Sequence, residues 1–309
     1  MTRGRFELAA VWALLAVVAV EVIVTYSRLP WNQLYHVTGS GIGGGASRAL
    51  LFLNFPAALA AIAVLLYLLD TIRGEVEHGL ALLAIVLCAA VFWPDVVDQA
   101  RLDARPVNAI AAAGVALALA LTVVRLRRRG SWRVGRVRGD GIRIAIATVV
   151  CFLGLPWIAA DLGFSLDGVP GLRSVFLTSA LRSQPHVAGV HPAVHHGHHH
   201  GMDGVLLVLV ALLLSRLLVS VGSRTLRGLL GAYLALMFCY GLGNIANDAW
   251  LEQITKRGWT TWEWPDVTTV TATPAWGLIL LGAACLWVLL VLPGLRSEPQ
   301  APRSTTATP

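Results

Sequence analysis

The sequence has 309 residues, of which 56% are hydrophobic and only 13% are charged, and its mean hydropathy is +0.69. Soluble domains carry about 25% charged residues, so this composition excludes an ordinary soluble protein. A net charge of +7 can indicate a nucleic-acid partner, but arginine gathered on one side of a membrane explains the excess better. We therefore expect a protein embedded in a lipid bilayer, with no nucleic-acid partner.

Apolar stretches about 20 residues long recur along the chain, and this length crosses a hydrocarbon core of about 30 Å. They predict an all-α fold, a polytopic integral membrane protein with about eight transmembrane helices. The predicted spans lie at about 8–26, 49–69, 79–93, 107–124, 144–160, 204–222, 229–247 and 274–293. The tail at 294–309, which is rich in Pro, Ser and Thr, is expected to be disordered in the cytoplasm.

One loop sets the expected orientation. Residues 125–143 contain eight arginines between two apolar spans, and loops rich in Lys and Arg stay in the cytoplasm. With this loop inside, eight spans place both termini in the cytoplasm and the acidic loops on the outer face. We therefore expect a multi-pass protein of the cell (plasma) membrane whose chemistry faces outward. Arg216, in the inner third of its span, is expected to reach the cytoplasmic phosphates.

The basic loop at 125–143 divides the chain into a first four-helix half at 1–124 and a second at 144–293. Leu-Pro-Trp occurs at 29–31, after the first span, and again at 155–157, in the fifth. Such matches favour a parallel 4+4 internal repeat, an arrangement in which sites often form between repeats. Residues 178–203 are then an outer insertion into the second half, and residues 172–183 are a candidate amphipathic helix on the outer leaflet.

Seven histidines lie within fifteen residues of this insertion, and six of them are candidate metal ligands. They are His191, His195, His196, His198, His199 and His200. Imidazole suits copper, zinc and nickel, so one of these ions is the expected ligand, although the sequence requires no cofactor. Gly189, Pro192, Gly197 and Gly201 argue against a helix that would fix the ligand geometry. The alternative is a solvated, low-complexity loop that binds metal only adventitiously.

Polar side chains near the outer ends of the spans form a second candidate site. Glu21 lies about 7 Å below the outer end of the first span, at 1.5 Å per residue, and a carboxylate inside a span is a functional hypothesis by default. We take Glu21, Asp95 and Asp248 as candidate catalytic carboxylates. Asn54 and Asn244 are candidate substrate-binding residues. The alternatives are that Glu21 snorkels to the outer interface or forms a structural hydrogen bond with Asn54.

Tryptophan is the third feature. Trp157, Trp259 and Trp262 are candidates for stacking on a bound sugar or lipid head group, and the last two belong to a dense Trp-Thr-Thr-Trp-Glu-Trp run at 259–264. Tryptophan is enriched at both membrane–water interfaces. Interfacial anchoring is therefore the alternative role for these side chains.

Three functions are compatible with these features. The first is a permease or binding protein with an outward-facing polar pocket, which handles a transition-metal ion gathered by the histidine loop. The second is a membrane-embedded enzyme that acts on a lipid-linked or isoprenoid substrate at the outer leaflet, with Glu21 and Asp95 or Asp248 as its acid/base pair. The third is a structural subunit of a membrane complex. The oligomeric state is left open.

The orientation is testable with a reporter that is active only in the periplasm. Fused near Gly135, inside the arginine loop, the reporter should stay inactive, because this loop is expected to remain in the cytoplasm. Reporter activity in intact cells is the measurement. An active fusion would invert the topology and place the histidines in the cytoplasm.

Overall fold

The computed structural model describes residues 4–30, 33–34, 37–94, 96–97, 102–127, 135–185, 187–265, 267–268 and 272–296. Within this part of the chain, six helices are long and apolar enough to cross a membrane, and the number rises to eight if each of two bent helix pairs is one span. The expectation of a helical, multi-pass membrane protein is confirmed at this level. The 4+4 repeat and the cytoplasmic placement of the termini stay predictions.

The helices follow the predicted spans closely. Their bounds are α1 Arg5–Arg28, α2 Gly41–Leu53, α3 Pro56–Thr71, α4 Glu75–Ala89, α5 Asn108–Arg127, α6 Asp140–Leu153, α7 Leu155–Asp161, α8 Leu172–Val175, α9 His200–Ser215, α10 Arg224–Asp248, α11 Pro274–Leu286 and α12 Leu292–Arg296. Helix α10 continues through a π-helical stretch, Ala249–Ile254, and a 3-10 turn, Thr255–Arg257. The π-helical stretch is noteworthy because such segments occur frequently at functional sites.

Two of the apolar segments bend where proline begins a new helix. Helices α2 and α3 meet at 41° and helices α6 and α7 at 61°, with Pro56 and Pro156 in the first turn of the second helix. Proline lacks a backbone N–H, and it is tolerated in the first turn because an N–H at that position has no intrahelical partner. The first bend is braced by α5, since Asn54 Nδ2 donates to the Asn108 carbonyl at 2.7 Å and Asn108 Nδ2 donates to Asn54 Oδ1 at 3.2 Å.

Helix α3 lies at the centre of the bundle and is buried around most of its circumference. A helix that is apolar on all sides is surrounded either by protein or by lipid, and the burial of α3 shows that other helices surround it. Helices α9 and α10 pack against each other and against α3, and they extend the same core. The ends of α9 and α10 therefore occupy fixed positions relative to the rest of the bundle.

Arg216 corrects one expectation. Its Nε donates to Glu7 Oε1 at 3.0 Å, and its guanidinium lies 2.7 Å from Asp140 Oδ2. The side chain therefore joins the ends of α1, α6 and α9 instead of extending toward lipid phosphates. A carboxylate pair on neighbouring helices satisfies a half-buried guanidinium better than solvent at the same depth.

The insertion also differs from its prediction. The expected helix at 172–183 ends after one turn at Val175, and strand β1, Leu181–Gln184, pairs antiparallel with strand β2, Val187–Pro192. Across the described residues, the regular secondary structure is therefore helical except for this hairpin. No residue of β1 is fully buried, so the segment lacks the continuous buried apolar stripe that an amphipathic helix needs.

Candidate metal centre

A cavity of about 1170 Å³, lined by both polar and apolar side chains, opens at one end of the bundle, which we call the histidine end. Its walls come from the hairpin, from α7, from the end of the α10 segment and from residues 195–200, which we call the histidine segment. The six histidines predicted as metal ligands all line it: His191, His195, His196, His198, His199 and His200. The six histidines, which are close together in the sequence, therefore share one cavity in the structure.

The histidine segment is packed into the protein. This corrects the expectation that its glycines and proline leave the histidine side chains without a fixed geometry. Gly197 has φ +105°, and a Cβ at this position would lie 2.6 Å from Tyr26 Oη. The same hydroxyl accepts a hydrogen bond from the His198 backbone N–H at 3.0 Å. A Cβ on Gly201 would lie 2.5 Å from the Trp157 ring. The two glycines therefore permit close contact with two buried aromatic rings, and they fix the histidines between them.

Three side chains converge on one point of the cavity wall. His195, His199 and Glu252 each offer a ligand atom, and these atoms lie within 4.8 Å of one another. His199 is 5% exposed, and its Nδ1 lies 2.7 Å from the Gly197 carbonyl oxygen. A carbonyl only accepts, so Nδ1 carries the proton and Nε2 presents its lone pair. Nε2 is buried without a hydrogen-bond partner and lies 3.7 Å from Glu252 Oε1.

Glu252 is oriented by a second buried group. The side chain is 4% exposed, and its Oε2 accepts a hydrogen bond from Trp157 Nε1 at 2.6 Å. Trp157 was predicted to stack on substrate, and the structure places its indole behind Glu252 as a hydrogen-bond donor. Oε1 is left facing His199. Metal ligands commonly have such outer partners, which fix the orientation of the ligating atom.

Burial favours the neutral form of the two imidazoles in this group. Burial lowers the pKa of His195 to about 3, and the positive charges of Lys256 and Arg48 act in the same direction. Burial also lowers the pKa of His199 well below its usual range. Neutral imidazole is the form that binds a metal ion. Two imidazole nitrogens and one carboxylate oxygen therefore make a chemically suitable ligand set for a divalent ion, with room on the cavity side for further ligands.

His198 is in the opposite situation, although it adjoins His199. Its Nδ1 lies 2.9 Å from Asp161 Oδ2 and its Nε2 lies 2.5 Å from Asp203 Oδ1. Burial alone would lower the pKa of His198, but the two carboxylates raise it well above its usual range. With a carboxylate at each nitrogen, His198 is an imidazolium, and neither lone pair is available to a metal ion.

Glu21 lies beside this imidazolium. Ligand atoms of Glu21, Asp161 and His198 are within 4.8 Å of one another, and Glu21 Oε1 accepts a hydrogen bond from Thr25 Oγ1 at 3.0 Å. The predicted alternative, a bond between Glu21 and Asn54, does not form, because Asn54 pairs with Asn108. Glu21 is therefore directed into the bundle, next to a buried carboxylate and a buried cation.

Of the remaining residues predicted as catalytic or substrate-binding, some lie at the cavity and others lie elsewhere. Asp248 lines the cavity, and its Oδ2 accepts the Gly201 N–H at 2.6 Å at the start of α9. Asn244 is fully buried and donates to the Tyr240 carbonyl at 2.9 Å. Trp259 is 71% exposed. Trp262 packs edge to face with Trp250 and Trp264. Asp95 lies outside the described residues.

Several residues of the site were not among the predicted ligands. They are Glu252, Lys256 and Arg48, which line the cavity, and Asp161, which contacts His198. Asp248, Glu252 and Lys256 recur at intervals of four residues, which places them on one helical face. This four-residue spacing could have indicated that the three side chains share a site. It was missed because the predicted span ended at residue 247, before all three residues.

No family model, no curated protein and no solved structure matches this chain. The assignment of the site therefore depends on its geometry and chemistry.

The close approach at Gly197 predicts a position-specific effect of substitution. Gly197→Ala should destabilise the protein by about 1–3 kcal/mol beyond the backbone cost of a left-handed residue, because the new methyl group overlaps the buried Tyr26 hydroxyl. Gly189→Ala is the matched control, since Gly189 also has positive φ but the nearest atom to its Cβ lies 3.7 Å away. Thermal unfolding in detergent is the measurement. Equal destabilisation by both variants would show that the Tyr26 contact does not fix the segment.

Proposed function

We propose that this chain is a multi-pass membrane protein that binds a divalent transition-metal ion through His195, His199 and Glu252. The observation that carries the proposal is the buried, unpartnered Nε2 of His199, which faces Glu252 Oε1 at 3.7 Å. A buried nitrogen without a hydrogen-bond partner is costly. A metal ion between these atoms would satisfy the His199 nitrogen and would at the same time be bound by the Glu252 carboxylate and by the neighbouring His195.

The donor set favours zinc. Two imidazoles and a carboxylate form a common catalytic zinc site, with a remaining position for water or another ligand. Copper(I) prefers thiolate and thioether ligands, and the donors here are nitrogen and oxygen. Nickel and copper(II) also accept imidazole, so they are the competing ions. When bound, the ion would act as a Lewis acid toward a ligand in the cavity.

A permease or metal-binding protein is the function that we favour. The metal ligands line a wide cavity at the end of the bundle, and a second polar group, formed by Glu21, Asp161 and His198, lies between the helices beside it. Polar and charged residues between membrane helices often mark the path of an ion. In this proposal the histidine segment captures the metal ion, and Glu21 provides a carboxylate along its route.

An enzyme that acts on a lipid-linked substrate is the second candidate. One observation favours it: the cavity is large enough for an organic ligand, and Pro156, Phe164, Leu251 and Trp264 give it apolar walls. In this alternative the ion keeps an open position for the substrate, and Asp248, which also lines the cavity, is the nearest candidate acid or base from the predicted set. Glu252 would hold the ion instead of transferring protons.

Metal content separates the proposed ligands from the other histidines. Full-length protein in detergent should retain one zinc ion per chain after dialysis, and His199→Gln should weaken zinc binding by at least about 100-fold, since loss of even an outer partner costs about 10- to 100-fold. His191→Gln is the control, because His191 lines the same cavity but is exposed and hydrogen-bonded to the Ala188 carbonyl. Equal zinc affinity in the two variants, with both folded, would contradict the site.

Sealed proteoliposomes that enclose a zinc-sensitive dye then distinguish the two functions. A permease should accumulate zinc, and Glu21→Gln should slow the accumulation. A zinc-loaded protein that gives no accumulation would exclude the permease and leave the metal-binding protein and the enzyme.

A further inference from the structure

We infer that Arg48 forms an oxyanion subsite of the cavity, so that the ligand bound beside the metal ion carries a phosphate-like group. This inference deepens the proposed function and rests on it for the role of the cavity as a binding site. It accounts for a buried cation that neither the metal ligands nor the Glu21 group explains.

Arg48 is buried without an acidic partner. Its side chain is 7% exposed, and its Nε is buried with no hydrogen-bond partner. None of the ion pairs found across the described ranges includes Arg48. The guanidinium group lies over the ring of Tyr26, with its central carbon 5.6 Å from the ring centroid. A buried charge is ordinarily paired, so this guanidinium is prepared for an anion that comes from outside the chain.

The packing of α2 against α1 fixes the backbone position of Arg48. Gly45 precedes it by three residues on the same helical face, and a Cβ on Gly45 would lie 2.3 Å from the Ile23 carbonyl oxygen of α1. Helices α1 and α2 are therefore in direct backbone contact at this point. Arg48, one turn later, is held between Tyr26 on one side and the cavity on the other, and it contributes to the cavity lining.

Four other charged residues at or beside the cavity already have partners, whereas Glu263 lines the cavity with a buried Oε1 that has none among the described residues. Lys256 Nζ donates to the Ala193 carbonyl at 2.8 Å. Asp203 contacts His198, Asp248 accepts the Gly201 N–H, and Glu252 accepts the Trp157 N–H. These contacts leave the Arg48 guanidinium as a cation with unused donors beside the His195–His199–Glu252 cluster.

The class of ligand follows from the chemistry of arginine. A guanidinium presents several N–H donors in a planar fork that matches the oxygens of phosphate or carboxylate. A phosphate group can contact both this fork and a divalent ion. The apolar part of the wall, which includes Leu102, Phe164 and Leu251, would suit the chain of a phospholipid-like molecule. The shared chemistry is the phosphate group, whether it is free or attached to a lipid.

The test uses the full-length protein in dodecyl maltoside, both metal-free and zinc-loaded. Thermal unfolding is followed with increasing inorganic phosphate or dodecyl phosphate. In the wild type at least one of the two should raise the unfolding temperature, because a ligand that binds only the folded state stabilises it. Arg48→Met should weaken phosphate binding by about tenfold or more, as expected for loss of a charge-assisted hydrogen bond. Arg48→Lys, which keeps the charge but loses the fork, should give an intermediate effect.

Arg28→Met is the matched control, because Arg28 is exposed and contacts the Leu162 carbonyl at the same end of the bundle. It should leave the response to phosphate unchanged. Without phosphate, Arg48→Met should be at least as stable as the wild type, since it removes an unpaired buried charge. A response to dodecyl phosphate alone would identify a lipid, and a response to both would identify the phosphate group itself.

Two results would overturn the inference: no response to either probe in the wild type, or a response that persists in Arg48→Met. The measurements on metal-free protein and on His199→Gln distinguish failure of the zinc site from failure of the Arg48 subsite. A response that depends on Arg48 in a protein that binds no zinc would leave the oxyanion subsite standing and remove the metal centre.

Discussion

The close packing of Gly197 against Tyr26 is the contact on which the candidate site depends. It turns the chain so that the Gly197 carbonyl accepts the His199 Nδ1 proton, and it fixes the His198 backbone through the tyrosine hydroxyl. Everything else at the site follows from that turn: the direction of the His199 lone pair, the pairing of His198, and the start of α9 at His200. A side chain at Gly197 would force this contact apart.

Two adjacent histidines acquire opposite properties from their surroundings. His198 has a carboxylate at each nitrogen and carries a charge, whereas His199 bonds to a carbonyl, remains neutral and keeps a lone pair. Environment often separates chemically identical groups in this way when they have different roles. We interpret His198 as the positive charge that holds Asp161 and Asp203 together between the helices, and His199 as a metal ligand.

The sequence predicted the spans because long apolar runs report burial in lipid directly. It also predicted that six histidines form one polar region, but not how they are arranged. Gly197 and Gly201 suggested a mobile loop, yet at these positions the missing side chain permits tighter packing. Glu252 was missed because its roles depend on Trp157 and His199, which are far from it in the chain. Partners of this kind arise from tertiary structure, which no local pattern encodes.

X-ray absorption at the zinc edge tests the metal centre most directly. The account predicts two imidazole nitrogens and a carboxylate oxygen at about 2.0–2.2 Å, with no sulfur in the coordination sphere, and one imidazole fewer for any zinc that remains in His199→Gln. Four or more imidazoles, or a spectrum unchanged by His199→Gln, would show that the histidines bind zinc as a flexible chelating chain. That result would contradict the buried site.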